Sequence, residues 1–279
     1  MGGGDFSLAD AVTHWAETLA ALGYNLAAQI ISAGTGAREE RMADRIEMTI
    51  GEVTTDALVA SPQGKGPFPG VVVGFHKGGL DNFNAWVVDD LAANGCAALA
   101  PNHYHVLPEG VSIDDRRDYL TDKQLALDLM AAADRLVADY NVDGNRLGLL
   151  GHCMGGRTTW VGLVSNPERW KWGGVWYGGS AFKALGDGPA PVEQFANIGC
   201  PVAGFFGNDD KNPSPEDVDK IEAMLTELGK AHEIHRYDGA GHGFMGFGAS
   251  HRDGPAKESW AIALKLMGRY LGAEAAVPA

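Results

Sequence analysis

The chain has 279 residues, of which 45% are hydrophobic and 21% are charged, a balance typical of a globular protein. Its formal net charge of −14 disfavours binding to nucleic acid or to an anionic membrane surface. The 3 cysteines form no CxxC pair, and the sequence shows neither a signal-peptide pattern nor an apolar stretch long enough to cross a bilayer. These features predict a cytoplasmic protein without a disulfide framework.

Residues 1–44 are predicted to form a helical extension and a charged linker in front of one domain, residues 45–279. Residues 7–31 have the pattern of one amphipathic helix. Its apolar positions form a narrow stripe: Leu8, Val12, Trp15, Leu19, Leu22 and Leu26. Such a stripe packs on the parent domain or forms the seam of a homodimer, and the sequence leaves both open.

From residue 45 the pattern changes to that of strands and helices in alternation. An alternating segment at 46–50 and an apolar segment at 57–59 predict a short antiparallel pair. Further strands are predicted from apolar runs at 71–73, 97–100, 147–150, 175–177, 202–206 and 234–237. Helices are predicted at 82–94, 117–140, 154–164, 215–229 and 257–271. Short, unbroken apolar strands between helices indicate the α/β class, with a mostly parallel sheet flanked by helices.

The segment 151–156, GHCMGG, directly follows a predicted strand and precedes a predicted helix. This is the G-x-nucleophile-x-G elbow of hydrolases, with cysteine in the nucleophile position. Backbone crowds the nucleophile on both sides of the sharp turn, which explains the glycines. The N–H groups at the start of the following helix favour the thiolate over the thiol. Cys153 is therefore the candidate nucleophile, whereas Cys96 and Cys200 precede strands and are predicted to be inert.

A candidate acid and a candidate base follow later in the chain, in the order that hydrolases with this elbow use. Asp209 and Asp210 come after the predicted strand 202–206, and His242 lies in a glycine-rich loop after the last predicted strand. His242 is expected to take the thiol proton. Asp210 is expected to hold the imidazole in the correct tautomer and stabilise the imidazolium. Asp209 is the competing candidate for the acid.

The elbow GHCMGG, the segment PVAGFFGNDD and the loop AGHGF resemble those of the dienelactone hydrolase family, over about residues 50–271. The resemblance implies an α/β-hydrolase fold and a triad of Cys153, Asp210 and His242. It also implies an oxyanion hole made by the backbone N–H groups of Met154 and Lys77. Neither a metal nor an organic cofactor is expected.

Two departures from the family pattern affect the expected substrate. The family holds its resting thiol near a glutamate at the end of the strand PFPGVVVGFH, where this chain has His76. An imidazole beside the thiol would change its charge near neutrality and make the rate depend on pH. The two arginines that bind a substrate carboxylate in the family match Val106 and Gly246 here. A neutral ester or lactone is therefore expected.

Several other residues have more than one interpretation. The spacing of His103 and His105 fits one face of a strand. Three interpretations of this pair are open: a polar wall of the substrate pocket, a pair of metal ligands, or ordinary packed histidines. His152 is predicted to be buried and hydrogen-bonded. The charged patch 114–118 is predicted to begin a helix, and an arginine in it can reach an acidic substrate group. Three tryptophans lie close together in sequence, and they are interpreted either as core residues or as an aromatic binding site: Trp170, Trp172 and Trp176.

The sequence therefore predicts a hydrolase of small, neutral esters or lactones that works through an acyl-thioester on Cys153. Its expected partner is a small-molecule substrate, and no cofactor is expected. Two alternatives remain open. One is a non-catalytic module of the same fold that binds a ligand or a partner, and the other is a metal-assisted hydrolase built on the histidines.

Overall fold

The structure is a computed structural model, and it describes residues 43–246 and 253–273. The predicted helix over residues 7–31 lies outside the described residues. The helical extension and a homodimer formed through it therefore stay predictions. Within the described ranges, no helix is both long enough and apolar enough to cross a membrane.

A sheet of 8 strands forms the centre of the described domain. The strands are β1 (Asp44–Ile50), β2 (Val53–Ala60), β3 (Phe68–Gly74), β4 (Ala97–Pro101), β5 (Val142–His152), β6 (Trp172–Trp176), β7 (Val202–Gly207) and β8 (His232–Tyr237). Their order in the sheet is β1-β2-β4-β3-β5-β6-β7-β8. Strand β2 pairs antiparallel with β1 and β4, and the strands from β4 to β8 pair in parallel. The predicted antiparallel pair and the mostly parallel sheet are both confirmed.

Five helices connect and flank these strands in the described part of the chain. They are α1 (Asn82–Ala93), α2 (Asp122–Asp139), α3 (Met154–Ser165), α4 (Pro215–Glu227) and α5 (Gly254–Leu271). Consecutive residues of β3 show how the sheet is covered. Val72 packs in one core with residues of α2, α3 and α4, whereas Val71 and Val73 pack in a second core with α1 and α5. Both faces of β3 are buried, which explains its unbroken apolar run.

The tryptophans near β6 belong to these cores. Trp170, Trp172 and Trp176 are each at most 1% exposed. The core interpretation of this cluster is therefore confirmed.

Two local predictions were wrong. Helix α2 begins at Asp122 and not in the charged patch, because the Thr121 side chain caps it by accepting a hydrogen bond from the backbone N–H of Gln124. Residues Arg116–Tyr119 form a 3₁₀ turn instead. His103 and His105 do not lie on a strand face. They belong to a 3₁₀ turn that starts after β4, where the Asn102 side chain caps the turn.

Candidate active site

Cys153 occupies a sharp turn between β5 and α3, with a backbone φ of 57° that residues other than glycine seldom adopt. The turn brings backbone against backbone. A Cβ on Gly155 would lie 2.0 Å from the carbonyl oxygen of Gly74, and one on Gly151 would lie 2.3 Å from that of Gly155. Only glycine fits at these two positions, and the contact fixes where the thiol stands.

His242 and Asp210 reach Cys153 from the loops after β8 and β7. Parallel strands end at the same edge of the sheet, which brings these loops together. The Nε2 atom of His242 lies 3.1 Å from Sγ of Cys153, and its Nδ1 atom lies 2.8 Å from Oδ2 of Asp210. The side chain of Asp210 is 2% exposed, and its Oδ1 accepts a hydrogen bond from the backbone N–H of Asn212 at 2.9 Å. Of the two adjacent aspartates, the structure brings Asp210 to the histidine.

The electrostatics of the pair favour a charged thiolate. Burial raises the pKa of Cys153, but the hydrogen bond and charge of His242, together with the backbone N–H groups of Met154 and Lys77, bring the pKa below its ordinary value. Hydrogen bonds to Asp210 and Cys153 raise the pKa of His242 to about 10. Both shifts favour the pair of thiolate and imidazolium over the pair of neutral groups.

The other two cysteines have the opposite character. Burial raises the pKa of Cys96 and of Cys200 to about 12 in each case. Both thiols stay protonated at neutral pH, and a protonated thiol is a weak nucleophile. This agrees with the prediction that they are inert.

Lys77 lies in the loop between β3 and α1, and His76 braces this loop. Nδ1 of His76 accepts a hydrogen bond from the backbone N–H of Gly78 at 3.1 Å, and Nε2 lies 2.8 Å from Oδ2 of Asp81. Both ring nitrogens of His76 are therefore engaged in this loop and with Asp81, and its role as a partner of the thiol stays a prediction. Asp81 is the N-cap residue of α1, so its contact with His76 ties the imidazole to the start of that helix.

His103 and His105 do not form the pocket wall that the sequence suggested. Both contact one carboxylate: Nδ1 of His103 lies 2.9 Å from Oδ2 of Asp128, and Nε2 of His105 lies 3.0 Å from Oδ1. The three side chains are 0%, 7% and 0% exposed in the order His103, His105 and Asp128. They form an internal cluster. Among the described residues, no group of three or more His, Cys, Asp or Glu side chains is placed to hold a metal ion.

His152 is buried as predicted but lacks the predicted hydrogen bond. Neither ring nitrogen has a hydrogen-bond partner among the described residues, and the side chain packs against Phe83, Trp176 and Trp260. Burial, and to a smaller extent the charge of His76, lower the pKa of His152 to about 3. The imidazole is therefore neutral, and it packs among aromatic side chains directly before the nucleophile in sequence.

Arg117 is a candidate site residue that the sequence pattern marks only as part of the charged patch 114–118. Its Nη2 atom is buried and has no hydrogen-bond partner within the described ranges. Burial and the charge of Arg157 lower its pKa, while the charges of Asp118 and of the Cys153 thiolate raise it. Arg157 is paired with Asp122 at 2.5 Å. Arg117 thus lies within electrostatic reach of the nucleophile with hydrogen-bonding capacity to spare.

The order of the strands and the nucleophile elbow define an α/β-hydrolase. The chain belongs to the dienelactone hydrolase family, whose family model matches residues 55–271. It is similar to a Methylorubrum extorquens protein named "Putative carboxymethylenebutenolidase", at 29% identity over 259 residues, which cover 87% of each chain. A Bradyrhizobium protein named "Probable 2-oxo-3-(5-oxofuran-2-ylidene)propanoate lactonase" is 26% identical over 212 residues, 73% of this chain and 85% of that one.

A solved structure supports the same assignment. The "Putative Dienelactone Hydrolase" from Klebsiella pneumoniae superposes with a TM-score of 0.74 at 28% identity, covering 82% of this chain and 100% of that one. The predicted family and fold are confirmed, and the chain is a hydrolase of this class.

Proposed function

We propose that this protein hydrolyses small carboxylic esters or lactones through a triad of Cys153, His242 and Asp210. The observation that carries the proposal is the continuous chain of contacts from thiol to imidazole to buried carboxylate, at 3.1 Å and 2.8 Å. The names of the two relatives, a butenolidase and a lactonase, support the substrate class.

The first half of the reaction makes an acyl-thioester. The Cys153 thiolate attacks the carbonyl carbon, a C–S bond forms, and the carbonyl electron pair moves onto oxygen. The backbone N–H groups of Met154 and Lys77 stabilise this oxyanion. When the C–O bond of the ester breaks, the departing alkoxide takes the proton from the His242 imidazolium. For a lactone, the new alcohol stays attached to the acyl group.

The second half releases the acid. Neutral His242 takes a proton from water as the water oxygen attacks the thioester. The tetrahedral intermediate then expels the Cys153 thiolate, and the starting ion pair is restored beside Asp210. The sum is ester plus water to acid plus alcohol. Amides are poor substrates for this site because the thiolate leaves the intermediate more easily than an amine does.

Arg117 changes the expectation about the charge of the substrate. The match of Val106 and Gly246 to the family's arginines favoured a neutral molecule. The Arg117 guanidinium has a buried nitrogen without a partner among the described residues, and the charge of the thiolate acts on it. This favours a substrate with an acidic group, because arginine binds carboxylates through paired hydrogen bonds. We therefore extend the proposal to an ester or lactone that carries a carboxylate.

The test is a panel of p-nitrophenyl acetate, a neutral butenolide and the same butenolide bearing a carboxylate. Rapid acid quench followed by intact mass spectrometry should detect acyl-Cys153 during turnover. Arg117→Gln should raise KM about 10-fold to 100-fold for the acidic lactone only, since a charge-assisted hydrogen bond is lost. Arg135→Gln, which removes a surface arginine paired with Asp139, is the matched control.

Each outcome separates the hypotheses. No turnover and no acyl-Cys153 on any substrate would favour the non-catalytic module. Turnover that stops when the enzyme is treated with a chelator would favour the metal-assisted hydrolase. If wild type and Arg117→Gln each have equal KM values for the two butenolides, Arg117 does not bind the carboxylate. The expected substrate would then again be a neutral ester or lactone.

A cytoplasmic location is part of the proposal, and the thiols support it. Cys96, Cys153 and Cys200 are all free. A reducing compartment keeps a nucleophilic thiolate from oxidation. Cell fractionation with an antibody against the native protein tests this point, and recovery outside the cytoplasmic fraction would contradict it.

A further inference from the structure

Tyr104 contacts both residues whose backbone N–H groups face the Cys153 sulfur. Its hydroxyl donates a hydrogen bond to the carbonyl oxygen of Lys77 at 2.8 Å and lies 3.5 Å from Sδ of Met154. Burial raises the pKa of Tyr104 to about 12, although the charge of Arg116 opposes this. The hydroxyl therefore stays protonated and keeps its donor throughout the neutral range.

The ring of Tyr104 is fixed on two sides. Its centroid lies 4.8 Å from that of Phe75, and the guanidinium carbon of Arg116 lies 5.0 Å from it. The backbone N–H of Tyr104 donates to Oδ1 of Asn102 at 3.0 Å. Side chain and main chain are both held, which leaves the hydroxyl little freedom to leave Lys77.

The turn that carries Tyr104 is attached to helix α2 by the two histidines next to it. His103 and His105 bond the two oxygens of Asp128, one on each side of Tyr104 in sequence. The Gln124 side chain, one turn earlier in α2, contacts the same carboxylate. We call His103, Asp128 and His105 the clamp. A carboxylate that is 0% exposed can be held in this way only if its partners stay in place.

We propose that Tyr104 is a positioning residue for the oxyanion hole and that the clamp holds it in place. The inference rests on the proposed function and assigns a role to residues outside the triad. Oxyanion donors must point to where charge develops, and they lose value when they can reorient. The hydrogen bond from the Tyr104 hydroxyl to the Lys77 carbonyl fixes the peptide group that follows the Lys77 N–H. The contact of the same hydroxyl with Met154 holds the N–H groups of Lys77 and Met154 at a constant position relative to each other. Tyr104 acts through Lys77.

Tyr104→Phe removes one hydroxyl and keeps the ring between Phe75 and Arg116. Two reagents then distinguish positioning from a general effect on the thiol. Butanal adds to the Cys153 thiolate to give a hemithioacetal, whose oxygen occupies the oxyanion position. Iodoacetamide alkylates the same sulfur by displacing iodide, without forming an oxyanion.

We expect Tyr104→Phe to weaken inhibition by butanal about 10-fold and to lower kcat on p-nitrophenyl acetate by a similar factor, because the donors are less well aimed. KM should change less than twofold, and the alkylation rate of Cys153 should stay at the wild-type value. Asp128→Asn should show the same pattern with a smaller loss. Tyr119→Phe, on a nearby exposed turn, should leave all these quantities unchanged.

An unchanged affinity for butanal in Tyr104→Phe overturns the proposal, and so does an equal loss for butanal and iodoacetamide. An unchanged affinity in Asp128→Asn overturns the role of the clamp. If the wild-type protein hydrolyses no ester, the proposed function fails. The two thiol reagents still test Tyr104 in that case, because they need only the Cys153 sulfur.

Discussion

The carboxylate of Asp210 lies 2.8 Å from Nδ1 of His242 and is buried, while Asp209, its neighbour in sequence, is exposed. One residue of offset thus decides which aspartate can act on the imidazole. The loop after β7 turns the Asp210 side chain inward, and the backbone N–H of Asp209 bonds the carbonyl of Ala240 at 2.9 Å. The two aspartates form a natural pair of test and control.

Asp210→Asn should lower kcat by roughly 10³-fold to 10⁴-fold, because an amide cannot stabilise the imidazolium and favours the wrong tautomer. Asp209→Asn should stay within twofold of wild type. Initial rates on p-nitrophenyl acetate measure both. Comparable losses in the two variants would show that the assignment of the acid is wrong.

Cys153→Ala should abolish hydrolysis, and Cys153→Ser should retain only a weak activity, because a hydroxyl needs far more help from a base than a thiol does. Cys96→Ala and Cys200→Ala should keep the wild-type kcat, since their thiols are buried and protonated. The measurement is kcat for the four purified variants. Wild-type turnover in Cys153→Ala would contradict a covalent thiol mechanism.

The ion pair gives Cys153 a defined pH window. The thiolate is lost as pH falls through the lowered pKa of Cys153, and the imidazolium is lost as pH rises through about 10, the raised pKa of His242. The alkylation rate by iodoacetamide should therefore begin to rise at a lower pH than it does for a free cysteine thiol. In His242→Gln the rise should move to higher pH, because a positive charge that stabilised the thiolate is gone.

This titration is best made with Cys96 and Cys200 both replaced by alanine, so that mass spectrometry reports alkylation at Cys153 only. The macroscopic values belong to the coupled pair and not to one residue. A pH profile that is the same with and without His242 would mean that the imidazole does not stabilise the thiolate.

Gly155→Ala should destabilise the protein by about 2–3 kcal/mol, because the new Cβ would overlap the backbone of β3 and force the strand and helix apart. Gly144→Ala is the control. Within the described part of the chain, a Cβ there meets only the Val137 side chain, at 3.6 Å, which is an ordinary contact. Urea unfolding measures the free energy of unfolding of both variants. Equal stabilities would mean that the elbow tolerates a side chain.

The fold was predictable from the sequence wherever burial decided the pattern. Strands such as β3 and β7 are covered on both faces, and their residues are therefore apolar without interruption. The start of α2 was not predictable from the charged patch. A 3₁₀ turn over Arg116–Tyr119 and an α-helix capped by Thr121 are both possible conformations for these few residues, and the chain forms the turn first and the helix after it. Local competition of this kind leaves little trace in periodicity.

The candidate site was predictable where chain order and strand ends determine it, as for Cys153, Asp210 and His242. The contacts of His76 and the clamp depend on side chains from distant segments, which a linear pattern does not reveal. One signal was present. Asp128 interrupts the apolar face of α2 between Leu125 and Leu129, and a carboxylate in that position must have buried partners.

The contact of Gly74, Gly151 and Gly155 has a consequence for how this enzyme can diversify. Main-chain atoms of three elements locate the nucleophile, and no pocket side chain takes part in that contact. Substitutions along the pocket can therefore alter which molecules are accepted without moving the reactive sulfur. A library that varies the surroundings of Arg117 and keeps these glycines starts from an intact reaction centre, and new substrate ranges can be selected from it without rebuilding the catalyst.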